Sequence, residues 1–111
     1  MYESLISDME IIQGDSSDIF TFGESTGAVL DANWTASFSI LSDYGTSPIV
    51  NRTLPKDAGL TNFIFQIYPS ESSILTPNTK YIVGVQIINT SLNYNAEVAQ
   101  FKLKVLNQVV I

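Results

Sequence analysis

The sequence has no cysteine, which excludes disulfides, thiol catalysis and cysteine-ligated zinc. It has no histidine either, and so lacks the most versatile general base and the commonest metal ligand. Cations are scarce. Five Lys and Arg against eleven Asp and Glu leave a net charge of −6. That sign repels phosphate backbones and argues against a nucleic-acid partner. No stretch approaches the ~20 apolar residues a membrane-crossing helix needs, so no membrane insertion is expected. Residues 1–12, MYESLISDMEII, carry three acids, no Lys or Arg and no apolar core of signal-peptide length. The expectation is a protein made in the cytoplasm, without a cleavable signal peptide.

What is present is apolar and lightly charged: 45% hydrophobic residues and 14% charged ones in 111 residues. That excludes disorder, and the length suits a single domain over residues 1–111 with a proper core. Residues 1–8 are expected to form a flexible arm that orders against a neighbour. Nearly all of the pattern has a period of two. Trp34, Ala36, Phe38 and Ile40 share one face of a strand, and Thr35, Ser37 and Ser39 the other. Phe101, Leu103 and Val105 alternate with Lys102 and Lys104. Residues 62–68 and the β-branched run 81–88 read as central strands, with weaker strands at 9–13, 19–22 and 49–54. Gly, Asp, Asn, Ser and Pro clusters at 14–18, 23–27, 43–48, 55–59, 70–78 and 89–95 separate them as turns. Residues 72–75 have room for one helical turn at most. Seven strands at this spacing predict an all-β, antiparallel β-sandwich, its interior supplied mostly by Trp34, Phe38, Phe63, Phe65, Tyr81, Val83, Val85, Phe101 and Leu103.

Two aromatic residues stand out. Tyr81 follows Leu75-Thr-Pro77-Asn-Thr79-Lys and opens a long strand, the setting in which a tyrosine tucks its hydroxyl against nearby backbone. Trp34 is the single tryptophan, on an early long strand that suits a central core position. The competing reading for Trp34 is an exposed ring that stacks on a ligand such as a sugar.

The succession Gly14-Asp15, Ile19-Phe-Thr-Phe22, Leu30-Asp-Ala-Asn-Trp-Thr-Ala-Ser-Phe-Ser-Ile40, Tyr44-Gly45 and Pro77-Asn-Thr-Lys-Tyr81 resembles a known family. It is similar to the small immunoglobulin-like β-sandwich domains of tailed-bacteriophage virion proteins, such as the N-terminal domain of baseplate upper proteins. In that family a Pro-Gly-x-Tyr turn opens the penultimate strand, and Asn78 stands here in place of the usual glycine. The Leu75-x-Pro77-x-Thr79-x-Tyr81 spacing is equally similar to fibronectin type III domains. The resemblance spans residues 9–106 and implies an immunoglobulin-like fold. It further implies a role in the virion, in contact with other virion proteins.

Catalysis would have to fall to carboxylates, Lys, Ser or Tyr. The acids sit mostly in turns (Asp15, Asp18, Glu24, Asp31, Asp43, Asp57 and Glu71), where carboxylates cap backbone amides. No enzyme and no cofactor are expected. Asp15 and Asp18 share a loop that Asp31 could approach, a hard-oxygen set suited to calcium, but the alternating spacing of a calcium loop is missing. The sequons Asn33-Trp-Thr35, Asn51-Arg-Thr53 and Asn89-Thr-Ser91 read as incidental in a chain so rich in Asn, Ser and Thr.

Interaction is the function class that survives. Val109, Val110 and Ile111 are consecutive apolar residues after the last strand, and exposed they would form a sticky edge that needs a partner. The expectation is a non-enzymatic structural or adaptor protein of a phage or prophage particle (tail, baseplate, connector or head decoration), acting as a homo-oligomer. The alternative is a stand-alone immunoglobulin- or fibronectin-like binding or adhesion module.

Overall fold

The period-two segments become seven strands and one short helix in the computed structural model, which describes residues 6–23 and 29–108. The strands are β1 (Met9–Ile12), β2 (Phe20–Gly23), β3 (Trp34–Leu41), β4 (Val50–Thr53), β5 (Asn62–Phe65), β6 (Thr79–Asn89) and β7 (Tyr94–Leu106). The helix α1 (Pro69–Ser72) precedes β6. A five-stranded sheet runs β1-β7-β6-β3-β4, and β2 pairs with β5 in a separate two-stranded sheet. The fold is therefore all-β in two layers. The antiparallel expectation fails at one place, because β1 runs parallel to β7, with Met9 opposite Leu103 and Ile12 opposite Leu106. No hairpin ties these two strands together, so burial of Ile11 and Met9 against the core, not a turn, sets their direction.

The layers meet through rings. Phe65 of β5 lies edge-on to Phe38 of β3 at 5.2 Å and to Phe101 of β7 at 6.0 Å between centroids. Edge-to-face rings of this kind add to the area they bury. Of the expected core, Phe38, Phe63, Phe65, Tyr81, Val83, Val85, Phe101 and Leu103 are all buried. Trp34 is the correction: it lies on the inward face but at the end of β3, only partly buried, and packs edge-on to Tyr94 at 5.9 Å. Ile6 is buried in the chain's own core, so the segment from that residue onward rests on the domain itself.

The 89–95 connection is tighter than expected, because Asn89 still belongs to β6 and Tyr94 already to β7. The Asn89 side chain, 3% exposed, accepts the N–H groups of Ser91 and Leu92 at 3.0 Å, and Asn93 turns the chain at φ 51°. The loop thus shrinks to four residues, and β7 pairs with β6 from Tyr94 onward. A bulge between Val85 and Gln86 shifts the register so that Val85 faces Ala99 and Gln86 faces Glu97. Val98 is the extra residue, and it packs against the core.

Side chains fasten the connections. Buried Ser72 accepts the Gly14 N–H at 3.1 Å and donates to the Asp15 carbonyl at 2.6 Å, tying the turn after β1 to α1. Arg52 of edge strand β4 points inward, forks onto Glu71 at 2.7 and 3.2 Å and donates to the Gln66 carbonyl at 2.6 Å. Its guanidinium lies 4.0 Å from the Tyr68 ring centroid and 4.8 Å from that of Phe38.

Candidate functional site

The two sheets are unequal, and the difference leaves a gap. At about 3.3 Å per residue, β6 and β7 extend to roughly 35–40 Å, whereas the four-residue strands β2 and β5 cover only a fraction of that length. At the pole where β6 ends and β7 begins, the inner face of the larger sheet opens into a groove of about 620 Å³. Val29, Trp34, Ile87, Leu92, Tyr94 and Val98 line it. Val29 is 62% exposed and Leu92 67%, a large apolar exposure for neighbouring side chains.

Local hydrogen bonds hold the walls. Leu30 N–H donates to the Leu60 carbonyl at 2.6 Å, and the Asp31 carboxylate caps the Asn33 N–H at 2.9 Å before β3 begins. Thr90 N–H donates to the Asn33 carbonyl at 3.2 Å, joining the β6–β7 hairpin to that wall. Gly23 completes the floor of this pole by necessity. A Cβ there would sit 2.1 Å from the Thr61 carbonyl oxygen, so only glycine lets β2 approach the start of β5.

The outer face of the larger sheet is polar and carries a shallower trough of about 440 Å³. Small residues Ser37, Ser39 and Gly84 form its floor, with Tyr44, Glu97 and Gln100 around it. The Glu97 carboxylate lies across Gly84, where a Cβ would come within 2.8 Å of it. Towards β1, Lys80 faces Lys104 across the sheet, and Glu10 faces Lys104 from the other side.

The acids behave as turn residues. Asp43 accepts the Tyr44 N–H at 2.7 Å, Asp8 the Lys102 N–H at 2.8 Å, and Glu71 the Tyr68 N–H at 2.8 Å. Asp57 accepts the N–H groups of Thr61 and Asn62 and the Asn62 side-chain amide. The Thr61 N–H, followed by the Asn62 amide, holds its carboxyl below the ordinary aspartate value of 3.8. Among the described residues no three acids gather in a way that could hold a metal ion. Glu24 lies outside the described residues.

Tyr81 occupies its expected corner: it is 5% exposed, and its hydroxyl accepts the Thr76 N–H at 2.8 Å. Of the sequons, Asn89 is buried with its amide oxygen engaged, whereas Asn33 and Asn51 are exposed. The interface candidates Val109, Val110 and Ile111 lie outside the described residues. The described chain ends at exposed Asn107 and Gln108, at the pole opposite the groove. That groove was the feature sequence reasoning missed. Trp34 carried a signal for it, as a lone tryptophan at a strand end, but Leu92 and Tyr94 read as loop residues. No protein-family model matches the sequence, and no curated protein is significantly similar to it.

Proposed function

We propose that this chain is a non-enzymatic structural or adaptor protein of a phage or prophage particle, built as an immunoglobulin-like β-sandwich and acting by assembly with copies of itself and with other virion proteins. One observation carries the assembly reading: the apolar groove around Trp34, Leu92 and Tyr94 at one pole of the molecule. Exposed apolar surface of this kind marks an interaction site, and occupying it removes Val29 and Leu92 from water. The Tyr81 corner and the two-layered architecture support the immunoglobulin-like part. The virion setting rests on the sequence resemblance described above.

Light scattering tests the assembly reading. The parent chain is expected to associate as its concentration rises, and Leu92→Glu, a change at an exposed position, to remain monomeric and folded. A parent chain that stays monomeric at high micromolar concentration refutes it. Neighbouring genes for tail or head proteins are the expected genomic setting, and attached adhesion domains would favour the second reading.

That second reading is a binding or adhesion module. The outer-face trough favours it, because exposed Tyr44 beside Gln86, Glu97 and Gln100 offers an aromatic platform with hydrogen-bonding groups. Binding of a soluble saccharide that Tyr44→Ala abolishes would select it.

A further inference from the structure

The polar trough on the outer face of the larger sheet is built on two departures from regular strand geometry. Ser37, Gln86 and Glu97 stand in one row across β3, β6 and β7, and Ser39, Gly84 and Gln100 in the next. Strict alternation back from Gln100 would put Val98 on this face. The bulge opposite Val85 and Gln86 instead turns Val98 towards the core and brings Glu97 out. Gly84 leaves the space that the Glu97 carboxylate occupies, since a Cβ there would come within 2.8 Å of it. Glycine inside a central strand costs stability, and here it makes room for a charged group.

Glu97 is the one charged residue in the trough lining. Among the described residues the one ion pair joins Arg52 to Glu71, which leaves Glu97 without a cation. Lys102, opposite Ile82, lies outside the lining. Tyr44, 64% exposed, joins the lining from a turn that Asp43 braces. The Asp43 carboxylate accepts the Tyr44 N–H at 2.7 Å, and its carbonyl accepts the Thr46 hydroxyl at 2.7 Å. Gln86 is held in turn by donating its side-chain amide to Asn95.

A carboxylate and an exposed aromatic ring in one site both attract an ammonium group. The floor adds hydroxyls and amides, which suit a ligand rich in hydroxyls better than the aliphatic stem of a lysine side chain. That floor is about 10 Å across three strands and about 7 Å between rows. It fits one or two sugar rings and falls far short of the ~800 Å² each partner gives to a stable protein interface. Sugars bearing carboxylates or phosphates are disfavoured by Glu97 and by the net charge of −6.

We infer that the trough binds a saccharide unit bearing a free amino group, its ammonium paired with Glu97 and its ring stacked on Tyr44. This inference rests on the adhesion reading above and names the class of sugar.

Calorimetric titration with a glucosamine trisaccharide and with its fully N-acetylated counterpart tests it. The amine form is expected to bind about fivefold tighter, the upper end for an exposed ion pair. That advantage should shrink with added sodium chloride and vanish in Glu97→Gln. Tyr44→Ala should abolish binding of both. Equal affinity of the parent for the two trisaccharides, lost in Tyr44→Ala, overturns this inference while sparing the adhesion reading. An amine preference that survives Glu97→Gln overturns it too, because the carboxylate would not be what selects the amine. Binding of neither sugar overturns the inference and the saccharide reading together. A trilysine peptide that binds through Glu97 more tightly than the amine trisaccharide overturns it in favour of a basic protein segment.

Discussion

The Tyr81 hydroxyl accepts one backbone N–H, from Thr76, and the ring beneath it is buried, so the two contributions can be separated. Tyr81→Phe is expected to cost about 0.5–1.5 kcal/mol in denaturant melts, the net value of one hydrogen bond, with the packing kept. An unchanged midpoint would mean the bond contributes nothing. Position decides the aromatic residues. Phe65 is fully buried among three other rings, and Phe65→Ala is expected to cost ~3–5 kcal/mol. Trp34, partly buried at the groove, is expected to lose about half as much on Trp34→Ala, despite its larger size. Asp57 gives a pH dependence with a definite sign. Its folded-state value is depressed, so its stabilising contribution is present above the ordinary 3.8 and is lost as pH falls through the folded value. Asp57→Asn should therefore be less stable than the parent at neutral pH, and the gap between their melting midpoints should narrow as pH falls below 3.8. A gap independent of pH would mean the carboxylate charge is not what those amides recognise.

Elements are held in place by contacts between residues far apart in sequence. Edge strand β4 is four residues long, and Arg52 fastens it to α1 through the fork onto Glu71. The side chains are 23% and 12% exposed, so the pair is only partly screened by water. Arg52→Ala is expected to cost about 1–3 kcal/mol, less than a fully buried pair would. Arg52→Lys should recover only part of this, because an ammonium cannot fork or stack over Tyr68. Equal stability of the Lys variant and the parent would reduce the contact to simple charge pairing. Asn78 works in the same local way. It turns at φ 60° and donates its N–H to the Val105 carbonyl at 2.7 Å, a left-handed position that asparagine tolerates better than most residues other than glycine.

At the scale of the whole molecule, one pole carries the groove and the opposite pole the end of β7, along a body 44 Å in its longest dimension. Association through apolar surface should not weaken with added sodium chloride, because screening relieves repulsion between copies that each carry −6. Sulfate should strengthen it by favouring burial. Light scattering across a salt series checks this, and dissociation at high salt would point instead to the charged face that holds Lys80, Lys102 and Lys104.

Period-two alternation was enough to locate seven strands and eight of the nine expected core residues, because a half-buried strand writes its inward face into every second position. Tyr81 was legible for a similar reason: its corner is local, closed over five residues. Three things were decided only by the tertiary structure. The start of β7 at Tyr94 depends on pairing with β6 and on the buried Asn89 that tightens the turn, neither of which alternation within 89–95 reveals. The parallel pairing of β1 with β7 joins segments about 94 residues apart, with no turn signal between them to set direction. Among the described residues, the groove lies where β2 and β5 stop short of the ends of β6 and β7. Whether Trp34 is core or binding surface depends on what the opposite layer covers, and no residue of β3 encodes that.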